Sequence, residues 1–303
     1  MSDDVYLMCK DVSVYNITQN IVLNESLLPG CMLRGTMTYS QWMKTRYSAG
    51  SNVSARRLML RAFGTDNHNR TLSVTRALSL SDCYWLKQRG EDISFGEVTP
   101  YLNKEWDGSG VFQGGSISTL FVNGAADKRW IDSQTLLKVG SFKELEPYTL
   151  CGALGLQEYA AKARMSDEDL LVSNFTSAGA FLESMEQSGM VGEEDSALEN
   201  AAELFQERAA ALLVIDYLVE HDDRHWGNLG FMRDADTGKY LGMAPYYDFD
   251  WAWSGGVTPL PDTAVQTYAG FIHMLCEKAR EIAHDFQHGA IITRRAEDLS
   301  KQI

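Results

Sequence analysis

His221-Asp222-Asp223-Arg224-His225-Trp226-Gly227-Asn228-Leu229-Gly230-Phe231, with Ala244-Pro245-Tyr246-Tyr247-Asp248 behind it, is the stretch on which the reading of this chain turns. Upstream, Phe205, Ala209, Leu212, Ile215 and Val219 recur at spacings of three and four, which predicts a helix over 197–220. Residues 209–215 are all apolar, so that helix is expected to be buried on most sides. Downstream, 229–245 reads as a hairpin: an apolar run, the turn Asp234-Ala235-Asp236-Thr237-Gly238, and a returning strand from Tyr240 to Pro245. A hairpin brings the chain back to its start, so Asp248 is expected beside Asn228 although 20 positions separate them.

Those residue types suit phosphoryl transfer. The reaction needs a carboxylate to orient or deprotonate the acceptor hydroxyl, and oxygen ligands for Mg²⁺ between the phosphates. Mg²⁺ is a hard cation that favours carboxylate and amide oxygens. Asp223 and Asn228 have the five-residue offset of a catalytic base and a metal-binding amide, and Asp248 is placed to be the second metal ligand. Asp-x-x-x-x-Asn alone is a weak signal. It gains weight from the buried helix before it and the hairpin and second aspartate after it. The bland alternative is a loop of capping Asp and Asn residues behind a helix.

The stretch 221–231 with 244–248 resembles the catalytic core of HipA-like serine/threonine kinases, bacterial kinases related to the HipA toxin, and is most similar to their single-chain branch. Leu78-Ser79-Leu80-Ser81-Asp82-Cys83-Tyr84-Trp85-Leu86-Lys87 is similar to that branch's Ser-Leu-x-Asp-x-Tyr-Trp segment. Asn123-Gly124, with Lys128-Arg129-Trp130 and Leu137-Lys138, is similar to its glycine-loop hairpin and nucleotide lysine. The resemblance covers roughly residues 78–250. It implies an α+β, two-lobed protein-kinase-like fold with a β-rich small lobe and a helical large lobe. It also implies ATP and Mg²⁺ as cofactors, with Asp223 as catalytic base and Lys138 on the α- and β-phosphates. Asn123-Gly124 would cover the phosphates with backbone N–H groups, and Asn228 and Asp248 would be the metal ligands. The acceptor it implies is a protein serine or threonine. Since the family includes toxin–antitoxin kinases, a small antitoxin is the kind of partner it suggests. Asp223-Arg224-His225-x-x-Asn228 also resembles phosphatidylinositol kinases, which makes a lipid or small-molecule kinase a variant of the same reading.

One departure bears on activity. The family has a Glu-Pro segment followed two residues later by a helix glutamate that pairs with the lysine. Here Glu146-Pro147-Tyr148-Thr149 leads to Leu150, and the helix before Leu154-Gly155-Leu156 looks short. Glu144, Glu146 and Glu158 are the candidate substitutes. A buried lysine without a partner tends to lose its charge. A nucleotide-binding pseudokinase or regulatory module is therefore the alternative. Lys138 itself sits inside an apolar strand, where the bland reading is a lysine that snorkels to solvent.

The sharpest rival from another chemical class is a zinc hydrolase. His221 and His225 are four apart, one methylene away from the His-Glu-x-x-His signature. That site needs a helix through both histidines, and Gly227-Asn228 argues that the helix has already ended. No third ligand is evident among His273, His284 and His288. A structural role for His225, holding the loop by hydrogen bonds, is the competing expectation. His221-Asp222 as part of a metal phosphohydrolase would need further ligands on separate helices, which cannot be placed.

The rest of the chain sets bounds. At 303 residues and 45% hydrophobic it can bury a sizeable core. The net charge of −14, with no Lys/Arg run to offset it, disfavours direct nucleic-acid binding and anionic membranes. Cys9, Cys31, Cys83, Cys151 and Cys276 are scattered and odd in number, which argues against a disulfide framework and predicts reduced thiols. The acidic N-terminus is unlike a signal peptide, and no apolar run is long enough to span a bilayer, so a cytoplasmic protein is expected. Three regions are expected: 1–95 packing on the small lobe, 96–160 as the nucleotide-binding small lobe, and 161–303 as the helical large lobe. Within them a strand pair is predicted over 5–30, strands at 116–122, 128–132 and 135–140, and helices at 264–287 and 290–302. Glycines 108–115 and the acidic run 193–199 read as linker and loop. Trp226, Trp251 and Trp253 read as core.

Overall fold

The computed structural model describes residues 4–46, 57, 60, 61, 64, 67–103, 122, 127–190, 201 and 203–303. Asn123 and Gly124, residues 116–121 of the strand predicted at 116–122, glycines 108–115 and the run 193–199 lie outside the described residues. The chain divides into two compact units: Met1–Val139, Leu171–Met190 and Phe231–Gly242 make the first, and Gly140–Leu170, Val191–Gly230 and Met243–Ile303 the second.

The first unit carries most of the strands. β1 (Val5–Cys9), β2 (Val12–Asn16), β3 (Ile21–Val22) and β4 (Tyr84–Gln88) form a sheet of order β3-β2-β1-β4. β1 runs antiparallel to both neighbours, with Leu7 opposite Tyr15 and Leu86. The strand pair predicted over 5–30 is thus three strands. The chain already turns at Lys10, whose φ is +49°, before the break at 17–20. Short helices α1 (Gly30–Leu33), α2 (Tyr39–Thr45), α3 (His68–Val74) and α4 (Phe95–Val98) follow, α2 and α4 opened by capping boxes at Thr38 and Ser94. The hairpin of β5 (Lys128–Asp132) and β6 (Thr135–Lys138) falls where the sequence predicts it, and Lys138 lies opposite Lys128.

Trp42, Tyr84, Trp85 and Phe181 are the large buried side chains of this unit's core, with Tyr84 edge-on to both Trp42 and Phe181. A buried polar knot sits in it. Arg233 pairs with Glu183 at 3.0 Å and donates to the carbonyls of Ser26, Leu28 and Gly238. Gly238 is required there. Its φ is +72°, and a Cβ would sit 1.7 Å from Ser26 O. Arg233 and Glu183 lie on β10 (Gly230–Asp234) and β9 (Ala180–Ser184), which join β11 (Tyr240–Met243) in a sheet of order β11-β10-β9.

The second unit is mainly helical. Behind a 3₁₀ turn, Phe142–Glu144, comes α5 (Leu145–Ala153), then a hairpin of β7 (Ala163–Ser166) and β8 (Asp169–Ser173), whose last residues belong to the first unit. The one-turn helix α6 (Met185–Ser188), which belongs to the first unit, precedes α7 (Glu207–Leu218), against which α8 (Asp262–Ile282) and α9 (Gly289–Ser300) pack. Every α7 residue from Ala209 to Leu218 is buried, as the apolar run predicts. The helix predicted over 197–220 is interrupted: residues 201 and 203–205 are helical, the chain breaks at Gln206 (φ +52°, ψ −134°), and α7 closes after Leu218. All five cysteines are buried free thiols. No helix among the described residues is long and apolar enough to cross a membrane.

Candidate active site

α7 ends in a Schellman motif. Glu220 takes the left-handed position at φ +52°, Glu220 N–H donates to Tyr217 O, and His221 N–H donates to Asp216 O. A glutamate where glycine is usual is held by its side chain: its buried carboxylate accepts from Arg294 at 2.5 Å and from Arg295 at 2.8 Å, both on α9. The helix therefore stops three residues before His221 is reached, and residues 221–228 leave it as a loop.

That loop is closed on itself. The Asn228 side chain donates from Nδ2 to Asp223 O at 2.8 Å and accepts at Oδ1 from His225 N–H at 2.9 Å. Both ends of the amide are thereby fixed, and one Oδ1 lone pair is left for another donor or a cation. His225 Nδ1 accepts from Gly227 N–H at 3.0 Å, which puts the neutral ring's proton on Nε2, 3.9 Å from Asp223 Oδ2. A Cβ at residue 227 would lie 2.8 Å from the His225 ring, so only glycine lets the ring fold back in this way. These bonds match the structural role expected of His225. The Asp223 side chain is 46% exposed, open to an incoming group.

Arg224 ties the loop to its surroundings. It grips Asp216 with two bonds of 2.8 Å, and its remaining donor NH1 reaches Asn228 O at 3.1 Å and Tyr247 O at 2.9 Å. Tyr247 Oη donates back to Gly227 O at 3.0 Å. The hairpin return predicted from the sequence thus brings Tyr247, and Asp248 next to it, to the loop that holds Asn228. Asp248 has φ +61°, a left-handed conformation that aspartate tolerates better than most residues but that still costs about 1–3 kcal/mol. Its N–H donates to Tyr148 Oη at 3.3 Å. The next residue, Phe249, is fully buried, edge-on to Tyr148 and below the Arg224 guanidinium, and its N–H donates to Glu144 Oε2.

Arg224, Asp216 and Tyr247 were not legible as site residues by motif. One signal was present: Asp216 interrupts an apolar helix, and a buried carboxylate demands a cation. Among the three glutamates weighed as partners for Lys138, Glu158 is exposed, Glu146 engages His288, and Glu144 is buried. Lys138 is itself buried on β6.

The histidines do not form a zinc site. His221 is fully buried beside Phe249, with Nδ1 3.8 Å from Asp216 and neither ring nitrogen hydrogen-bonded. His225 is exposed and bonded within its own loop. Among the described residues no group of three His, Cys, Asp or Glu side chains could hold a metal ion. Burial holds the His221 pKa below its ordinary value of 6.5, against the pull of Asp216. Trp251, read as core, is 54% exposed instead.

No protein-family model matches the chain, and no curated protein matches its sequence. Solved structures do match in fold. HipA of Shewanella oneidensis MR-1, determined with HipB and its operator DNA, superposes with a TM-score of 0.53 at 12% identity, over 98% of this chain and 96% of that one. The Helicobacter pylori proinflammatory kinase CtkA aligns over 60% of this chain and 92% of its own, at 14% identity and a TM-score of 0.41, too slight a likeness to argue from. The chain has the α+β, protein-kinase-like fold of HipA.

Proposed function

We propose that this chain is an ATP- and Mg²⁺-dependent phosphotransferase, a HipA-like kinase that phosphorylates a serine or threonine of a protein. The observation that carries the reading is the 223–228 loop closed by the Asn228 amide and clamped by Arg224 to the segment bearing Asp248, on a HipA fold.

The donor set fits Mg²⁺. Asn228 Oδ1 and the Asp248 carboxylate are hard oxygen donors, and the amide's orientation is fixed by its two hydrogen bonds. Bound there, Mg²⁺ would neutralise phosphate charge, which an acidic chain of net charge −14 cannot do unaided. Asp223, half exposed at the mouth of the loop, is assigned the acceptor hydroxyl proton. His225 Nε2 lies 3.9 Å from Asp223 Oδ2. Arg224 keeps Asn228 and Tyr247 in register by holding their carbonyls, so the two metal ligands move as one body. Lys138 is assigned to the α- and β-phosphates, and Asn123-Gly124 to the phosphate cover, by the family resemblance.

The HipA structure contains HipB, and a small protein partner of that kind is proposed for this chain too. Direct nucleic-acid contact is not, given the charge. A cytoplasmic setting, where ATP is available, completes the reading.

Calorimetry with Mg·ATP tests the site apart from turnover. Wild type is expected to bind, with affinity falling about 10–100-fold in Asp248→Ala and Asn228→Ala. Wild type that ignores Mg·ATP would sink the reading. Binding without transfer to any acceptor would move it to the pseudokinase alternative.

A further inference from the structure

A cavity of about 510 Å³ lies in the second unit between α5 and the junction of α8 with α9. Its volume is within the range of small-ligand pockets, about 300–1,000 Å³. Phe142, Leu145, Ile282 and Phe286 give it apolar walls. Phe142 is 52% exposed, a large aromatic side chain that the core does not use.

The polar end of the cavity is also the anchor of the chain beyond Asp248. Glu146 accepts from His288 N–H at 2.9 Å and from the His288 ring Nδ1. The Trp253 indole lies flat on that ring, with centroids 4.0 Å apart and planes at 12°, and its Nε1–H donates to Lys143 O. Trp253 takes φ +65° and its N–H donates to Val219 O at 2.7 Å. The 3₁₀ turn and α5 therefore hold both ends of one short segment. Tyr148 and Glu144 hold Asp248 and Phe249, while Lys143 and the Glu146–His288 pair hold Trp253. A molecule in the cavity would touch Glu146 and His288 directly and reach Trp253 through them.

We infer that this cavity is an effector site for a small aromatic cation, and that its occupant acts on the Asp248–Trp253 segment through Glu146, His288 and Trp253. The apolar walls suit an aromatic body. The acidic side chains at the cavity, Glu146 and Asp285, outnumber its one lysine, Lys143, in a chain whose net charge of −14 favours cations. An ammonium group competing for Glu146 would loosen the His288 ring on which Trp253 rests. The effect on phosphate transfer rests on the phosphotransferase reading; the binding and the segment's response do not.

The test titrates phenethylamine into the full chain by calorimetry, with phenylpropionate as the anionic control, and follows amide exchange over residues 249–256. Phenethylamine is expected to bind at least about ten-fold more tightly than phenylpropionate. It should change exchange in the segment by about five-fold or more. Thr149→Trp, which fills the cavity from an exposed position, should abolish binding. Trp253→Ala should bind as well as wild type and show no exchange response. Absence of binding, equal binding of the anion, or an unaltered segment in the bound wild type would overturn the inference. Where wild type transfers phosphate, phenethylamine should alter the rate by about five-fold or more, and Trp253→Ala should remove that response. Binding and exchange effects in a protein with no transfer would tell against the phosphotransferase reading alone.

Discussion

Arg233 in the first unit and Arg224 in the second are both buried, and both pair with a carboxylate that has left water, Glu183 and Asp216 respectively. Their remaining donors go to different places. Those of Arg233 hold Ser26, Leu28 and Gly238, which are loop carbonyls. The last donor of Arg224 holds Asn228 and Tyr247, one a proposed metal ligand and the other the neighbour of one. A buried arginine–carboxylate pair therefore does not by itself mark a site. What distinguishes the second pair is that its leftover hydrogen bonds fix the backbone of the proposed site.

The largest effect that could break this contrast is on folding. Arg233→Met leaves Glu183 buried and uncompensated, so a loss of about 3–5 kcal/mol is expected in denaturant unfolding. Desolvation already pushes the Glu183 carboxyl up, against the opposing pull of Arg233, and removing the arginine takes that pull away. Arg224→Lys should behave differently. One ammonium cannot make the two bonds to Asp216 and also reach both carbonyls. Phosphate transfer and Mg²⁺ affinity are each expected to fall about 10–100-fold, with a smaller change in unfolding than Arg233→Met. Equal stability losses with unimpaired transfer would show that Arg224 is only another structural knot.

A smaller effect depends on pH. The His221 pKa is lowered by burial, so the unfolded chain binds its proton more readily than the folded one. Below the ordinary value of 6.5 the unfolded state carries the extra proton, and stability falls as pH drops. The slope from this one group is at most about 1.4 kcal/mol per pH unit. His221→Phe is expected to flatten it, measured as unfolding midpoints between pH 7 and 5.5. An unchanged slope would show that His221 finds a proton acceptor when folded.

The smallest effect concerns the cap. Glu220→Gln keeps the left-handed turn but removes the charge facing Arg294 and Arg295. A loss of about 1–3 kcal/mol is expected in unfolding experiments, with transfer by the folded protein little changed.

The hairpin from β10 to β11 and the buried α7 were legible because each follows from local pattern. An all-apolar run means burial, and Asp234 to Gly238 supplies the turn residues, with Asp234 Oδ1 accepting from Thr237 N–H. Asp223 and Asn228 were legible because their spacing is local too, and the structure joins them through one amide. Asp216 with Arg224 was not, because a helix end lies between them and only the Schellman turn at Glu220 sends the arginine back. The break at Gln206 was hidden for the opposite reason: helical periodicity continues through a residue whose backbone does not. His221 was weighed as a ligand from its spacing to His225, yet burial, which spacing does not reveal, separates the two rings.

Asp223 as base and Asp248 as metal ligand are the two assignments on which the proposed phosphotransferase activity depends. The direct measurement is transfer of label from γ-labelled ATP with Mg²⁺, to the chain itself or to a protein acceptor, comparing wild type with Asp223→Asn and Asp248→Asn. Incorporation by wild type is expected, with a fall of about 10²–10⁴-fold in Asp223→Asn with Mg·ATP still bound, and a fall of about 10–100-fold in both transfer and Mg·ATP affinity in Asp248→Asn. Transfer by Asp223→Asn at the wild-type rate, or a wild type that binds no Mg·ATP, would contradict these assignments.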